Sequence, residues 1–63
     1  GTLVAKRVTL ETTRTGGPVA GAIEGTARAL REAASWVGAD SISIHQVVPA
    51  AQERALRAMC DRP

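Results

Sequence analysis

Two stretches of the chain alternate hydrophobic and polar residues with a period of two, which is typical of β-strands. The first spans residues 2–12 and is rich in β-branched residues, and the second spans residues 41–48. In the first, one side carries Val4, Lys6, Val8 and Leu10, and the other carries Ala5, Arg7 and Thr9. In the second, Ile42 and Ile44 lie opposite Ser41, Ser43 and His45. The second stretch therefore predicts a strand with one covered face and one open face.

Two further stretches repeat their apolar residues at helical spacing. The first predicts a helix that starts at Pro18 and ends at Val37, with Gly38 terminating it. Its apolar stripe consists of Val19, Ala22, Ile23, Ala27, Leu30, Ala33, Ala34 and Val37. The second predicts a helix that starts at Pro49 and leaves residues 61–63 as a frayed end. Its apolar stripe consists of Ala51, Ala55, Leu56 and Met59.

Gly21 and Gly25 lie inside the predicted first helix, where together they cost about 1–2 kcal/mol relative to alanine. We therefore expect a strand or a second helix to approach this helix closely at the two glycines. Trp36, near the end of the same helix, is expected either to close the core or to take part in a subunit contact.

The order of the elements is strand, helix, strand, helix, and such a crossover almost always leaves the two strands parallel. A sheet of two strands has unpaired backbone groups at both edges, so we expect another copy of the chain to complete it. The predicted fold class is α/β. It is a two-layer β-α-β-α unit in one small domain spanning residues 1–63, with its small sheet completed by oligomerisation.

The composition explains why a single copy is expected to need a partner. The chain has 63 residues, of which 44% are hydrophobic, and Trp36 is the only aromatic one. Domains of this size usually need disulfides, a metal or partner subunits. Cys60 is the only cysteine, and one cysteine with one histidine cannot supply the four protein ligands of a usual zinc site. We therefore predict a homo-oligomer such as a dimer, with no metal or other cofactor.

The charge balance is mildly basic, with eight Lys and Arg residues against six Asp and Glu residues and a formal net charge of +2. Such an excess is compatible with a nucleic-acid partner. No stretch approaches the roughly 18 apolar residues of a membrane span, and no secretory signal opens the chain. We therefore expect a cytoplasmic protein without a membrane partner.

The segment Pro18-Val19-Ala20-Gly21-Ala22-Ile23-Glu24-Gly25 follows a strand and a polar loop. It resembles the Val-Ala-Gly-Ala-(Leu/Ile)-x-Gly segment of the stage V sporulation protein S family. Residues 39–44 and 51–58 are similar to the second strand and second helix of that family. The resemblance implies an Alba-like fold, a dimer and a nucleic-acid-binding or regulatory role in bacteria. The final β-hairpin of the family has no counterpart here, which keeps a purely structural role open.

The loop before the first helix is the best candidate site. Gly16 and Gly17 are expected to present backbone N–H groups beside the positive end of the helix dipole, where Arg14 supplements them toward a phosphate. Lys6 and Arg7 are neighbours on a strand and therefore face opposite sides of the sheet. One of them is expected to join Arg14 in a basic patch. The alternative is a connection whose glycines only satisfy the turn. The predicted nucleic-acid-binding residues are Lys6, Arg7, Arg14, Thr15, Gly16 and Gly17.

No catalytic set is predicted. Ser43 is the only sequence-local partner for His45, and Cys60 has no nearby histidine to activate it. The helical arginines are explained by salt links to Glu24, Glu32 and Glu53; they are Arg28, Arg31, Arg54 and Arg57. The sequence therefore predicts a small oligomeric protein, not an enzyme, that binds nucleic-acid backbones with low specificity and strong salt dependence. The alternative is a structural or assembly subunit without a ligand of its own.

Overall fold

Residues 1–61 are described by a computed structural model of the chain, in which short parallel strands are connected by helices. The strands are β1 (Thr2–Ala5), β2 (Val8–Thr9), β3 (Ser41–Ile44) and β4 (Val47–Val48), and the helices are α1 (Ala22–Trp36) and α2 (Glu53–Cys60). β1 pairs with β3, and β2 pairs with β4, both in parallel. The predicted α/β class and the parallel pairing are confirmed. Residues 62 and 63, expected to belong to a frayed end, lie outside the described residues.

Each predicted strand is divided in two by a short break. Val8 and Leu10 are buried, whereas Val4 is 52% exposed, so the prediction that these three residues share one face is wrong. The physical reason is that the alternation of inward and outward side chains shifts by one residue between β1 and β2. Two consecutive exposed residues, Lys6 and Arg7, separate the inward positions of β1 from those of β2. The second stretch changes phase at the same place, so the two pairs of strands stay in register.

The core lies on one side of the strands, under both helices. Its buried cluster consists of Val8, Leu10, Ala27, Ile44, Val47 and Leu56. Leu56 of α2 is the largest side chain that is completely buried in the described part of the chain. On the opposite face the hydroxyls of Thr2 and Ser41 hydrogen-bond at 2.8 Å. The prediction that the second strand has one covered and one open face is therefore confirmed.

The first helix begins at Ala22, four residues later than predicted. Pro18 instead forms an antiparallel bridge with Thr12. The Val19 N–H donates to the Glu11 carbonyl at 2.9 Å, so the chain is still doubling back at this point. Gly21 then takes a φ of +79°, a left-handed conformation that glycine adopts without steric cost, and the helix follows.

The predicted end of α1 agrees with the structure, whereas α2 begins at Glu53, four residues after its predicted start at Pro49. α1 stops at Trp36, and Gly38 takes a φ of +73° while the Ala39 N–H donates to the Ala34 carbonyl at 2.8 Å. A cis peptide joins Val48 to Pro49, and a 3₁₀ turn at Ala50–Gln52 leads directly into α2. Within residues 1–61, no helix is both long enough and apolar enough to cross a membrane.

The outer side of α1 differs from the expectation. A Cβ added at Gly21 or Gly25 meets no atom within 4 Å apart from its chain neighbours and the backbone of its own helical turns, so the predicted close approach is wrong. Trp36 does not close the core either, because 89% of it is exposed, and Val37 beside it is 67% exposed. The helix therefore carries an open surface with a glycine at one end and a tryptophan at the other.

Candidate nucleic-acid interface

The break between the two pairs of strands exposes a cluster of polar side chains. We call it the strand-break site and define it as Lys6, Arg7, His45 and Gln46. The parallel pairing has the same offset on both sides of the break, which sets Lys6 beside His45 and Arg7 beside Gln46. All four residues are exposed.

Backbone hydrogen bonds hold the break in place. The His45 N–H donates to the Ala5 carbonyl, and the Val8 N–H donates to the Gln46 carbonyl, both at 2.9 Å. Within residues 1–61, no carboxylate forms an ion pair with Lys6 or Arg7. The site therefore presents an ammonium and a guanidinium group to solvent, with an imidazole and an amide as neighbours. Cationic donors of this kind form the strongest hydrogen bonds with phosphate oxygens.

The glycine loop that precedes α1 is closed on itself. The Thr13 N–H donates to the Gly17 carbonyl at 2.8 Å, and the Gly16 N–H donates to the Thr13 carbonyl at 3.0 Å. The hydroxyl of Thr13 lies 3.0 Å from that of Thr15. The Gly16 N–H, one of the donors expected for a phosphate, is thus used inside the turn. Arg14 is exposed and remains the cation of this loop.

The loop does not lie at the start of α1 as predicted, because the bridge at Pro18 and the turn at Gly21 separate the two. It is also separated from the strand-break site. The chain leaves Arg7 through β2, and the Leu10 N–H donates to the Val48 carbonyl at 2.8 Å. At about 3.3 Å per residue, the extended stretch from Arg7 to Leu10 alone spans about 10 Å, and the loop lies beyond it. A long polyanion could touch both places, whereas one phosphate could not.

Two of the four helical arginines have structural partners. Arg57 pairs with Glu53 at 2.9 Å, as predicted, and also donates to the Ile44 carbonyl at 2.6 Å. Arg31 donates to the Met59 carbonyl at 2.9 Å rather than to a carboxylate. Arg28 and Arg54 are exposed and form no ion pair within residues 1–61, so the salt links predicted for them are not present there.

A cleft of about 430 Å³ lies where α1 ends, β3 begins and α2 ends. Its polar lining includes Arg31, Asp40, Ser41 and Cys60. Burial raises the pKa of the Cys60 thiol, against the opposing effect of the Arg31 charge. The thiol is therefore protonated at neutral pH, which makes it a poor nucleophile. Within residues 1–61, no three metal-binding side chains come together.

Sequence reasoning did not assign His45 and Gln46 to the candidate site. The signal was nevertheless present in the chain. Lys6-Arg7 and His45-Gln46 are both adjacent polar pairs, and each is followed by β-branched or apolar residues. A polar pair interrupts strict alternation, because one of its two residues would otherwise face the core. Two such pairs at equal distances from the strand starts predict a shared break.

No family model matches the chain, and neither a curated protein nor a solved structure matches it. The resemblance to the stage V sporulation protein S family therefore stays a prediction.

Proposed function

We propose that this protein binds the phosphate backbone of nucleic acid through the strand-break site. The observation that supports this function is the pair of exposed cations, Lys6 and Arg7, at a break shared by two parallel strands. Contacts to phosphate carry no base information, so the binding is of low sequence specificity. It also releases counterions, which makes it strongly dependent on salt concentration.

Arg14 extends the proposed interface along the molecule. The described chain measures 37 × 19 × 15 Å, so it is long enough to contact a polyanion at separated points. Lys6 and Arg7 supply one contact and Arg14 supplies the other, while Thr15, Gly16 and Gly17 hold the turn that carries Arg14. Trp36, the only aromatic residue, lies on α1 and not at the strand-break site, so base stacking is not part of this proposal.

The test is a fluorescence anisotropy titration of labelled duplex DNA and duplex RNA at about 50 mM and about 200 mM salt. The unmodified chain is expected to bind at low salt and to lose most of its affinity at high salt. Arg7→Glu is expected to weaken binding about tenfold or more, because it replaces a phosphate contact with a repulsive charge.

Arg54→Glu is the matched control, because it makes the same change in net charge at an exposed arginine on α2. It is expected to weaken binding much less than Arg7→Glu. Equal losses in the two variants would show that net charge alone drives binding and would contradict the proposed site. No binding of either duplex at tens of micromolar protein and low salt would remove the proposed function.

The second candidate function is that of an assembly subunit without a ligand of its own. The exposed Trp36 and Val37 favour it, because large exposed apolar side chains that adjoin one another mark protein contacts. In this role the chain self-associates and the oligomer is the functional form. The second copy is added either at the sheet edges, where it completes the small sheets of the two-layer unit, or against the helices. Sedimentation analysis tests it, and a monomer at all accessible concentrations would reject it.

A further inference from the structure

The outer side of α1 carries a projecting side chain near its end and adjoins a hollow near its start. The projection is the side chain of Trp36, which is 89% exposed. The hollow is a concave surface of about 370 Å³. Its lining includes Val19, Gly21, Gly25 and Thr26. The two glycines leave it open, since a Cβ added at either meets no atom within 4 Å outside its own stretch of backbone.

Gly25, which lines the hollow, and Trp36 lie on one face of the helix. Eleven residues separate Gly25 from Trp36, and at 100° per residue their directions differ by only about 20°. Ala29 and Glu32 lie between them on the same outward stripe and are also exposed. This stripe is opposite Ala27 and Ala34, which are the buried residues of α1.

When one helix face carries both a projection and a hollow, a two-fold axis can place the projection of each copy in the hollow of the other. If a second copy packs its α1 antiparallel to the first, with the axis near residues 30 and 31, Trp36 of each copy lies over Gly25 of the other. Such an interface is closed and self-complementary, as in most homodimers. Within one copy the distance is too great, because eleven residues of helix span about 16 Å.

The charges on this face fit the same arrangement. Arg28 and Glu32 are exposed and form no ion pair in the part of the chain that the structure describes. In the antiparallel arrangement Arg28 of one copy lies beside Glu32 of the other, and the symmetry makes this pair twice. A parallel arrangement separates Trp36 from the hollow along the helix and therefore leaves both unfilled.

We infer that the chain forms a two-fold dimer through the outer face of α1, with Trp36 of each copy seated in the hollow at Gly21 and Gly25 of the other. The indole N–H of a buried tryptophan needs an acceptor, and Glu11 and Thr9 on the wall of the hollow carry acceptor oxygens. This inference specifies the surface that an assembly subunit would use and does not depend on nucleic-acid binding.

Trp36 is itself the probe of the inference. The chain has no Tyr or Phe and only one Trp, so its intrinsic fluorescence reports on this side chain alone. As the protein is concentrated, the emission maximum is expected to shift to shorter wavelength in step with the monomer-to-dimer transition seen by analytical ultracentrifugation. Association without a change in Trp36 emission would overturn the proposed interface while leaving assembly intact. A monomer at all concentrations would overturn both.

Gly25→Gln fills the hollow without threatening the fold, because the added Cβ meets no atom within 4 Å outside its own stretch of backbone and glutamine is a better helix former than glycine. It is expected to weaken dimerisation about tenfold or more, as removal of an interface hot spot does. Trp36→Ala is expected to do the same. An unchanged dimer in Gly25→Gln with normal helix content would contradict the inference.

The Arg28–Glu32 pair provides a test in which one substitution disrupts the dimer and a second one restores it. Arg28→Glu sets two carboxylates against each other in each half of the dimer and is expected to weaken association. Adding Glu32→Arg to that variant exchanges the two charges and is expected to restore it. If the double variant stays as weak as the single one, Arg28 and Glu32 do not face each other across the interface, and the antiparallel arrangement is wrong.

Discussion

Two glycines four residues apart have different reasons to be glycine. Gly21 has a φ of +79°, so a side chain there would be strained even though space is available. Gly25 lies within α1 and has neither a positive φ nor a close neighbour in the described chain. In the isolated chain Gly25 is therefore a cost without a local benefit, which agrees with a role toward a second molecule.

The two glycines are expected to respond in opposite directions to the same substitution. Gly21→Ala is expected to lower the free energy of unfolding by about 1 kcal/mol, because alanine resists the left-handed conformation. Gly25→Ala is expected to raise it by about 0.5–1 kcal/mol, because alanine favours the helix. Urea denaturation followed by circular dichroism at low protein concentration measures both. A loss of stability in Gly25→Ala would indicate a close contact that the structure does not contain.

At the scale of elements, α2 is attached by two arginines that bond to backbone carbonyls. Arg57 of α2 donates to the Ile44 carbonyl at the end of β3, and Arg31 of α1 donates to the Met59 carbonyl of α2. These bonds complement the burial of Leu56, which packs the same helix against the core. The bond to Ile44 also fixes the carbonyl that immediately precedes the strand-break site.

Arg54 and Arg57 both lie on α2, so replacing each by alanine changes the helix propensity equally. A difference between the two variants therefore measures the attachment through Arg57. Arg57→Ala is expected to lower the free energy of unfolding by about 1 kcal/mol, less than for a buried charged bond because 41% of the side chain is exposed. Arg54→Ala makes the same change on the same helix at an exposed residue and is expected to have little effect. Denaturant titrations of the two variants compare them, and equal losses would rule out a specific role for the Ile44 bond.

The sequence was sufficient for the elements whose signals are local. Alternation around Ile42 and Ile44 predicted β3, and Gly38 predicted the end of α1. The start of α1 was misplaced because proline is common in the first turn of a helix. Pro18 instead forms the bridge to Thr12, to which a proline is equally suited. Lys6 and Arg7 of the strand-break site were predicted, but His45 and Gln46 were missed for a different reason. Their place in the site depends on the register between two strands, which neither strand reveals alone.

For the whole molecule, the stability of a single copy is limited by how little apolar side-chain surface the chain buries. A domain of this length is stabilised by about 3–9 kcal/mol at the usual values per residue. Among the described residues 1–61, the fully buried ones include only one large side chain, Leu56, and much of the outer side of α1 remains exposed. A dimer that covers this surface would therefore contribute a substantial part of the stability, and that contribution would rise with the logarithm of the protein concentration.

Leu56→Ala tests this view of the molecule. Loss of a completely buried leucine costs about 2–5 kcal/mol, which is comparable to the total expected for the domain. The variant is expected to lose most of its helical circular dichroism at low concentration and to recover part of it as the concentration rises, because dimerisation favours the folded chain. Val4→Ala, at an exposed position on the open face, is the control and is expected to remain folded. If Leu56→Ala also remains fully folded in dilute solution, the core described here is not what holds the chain together, and the need for a partner copy loses its physical basis.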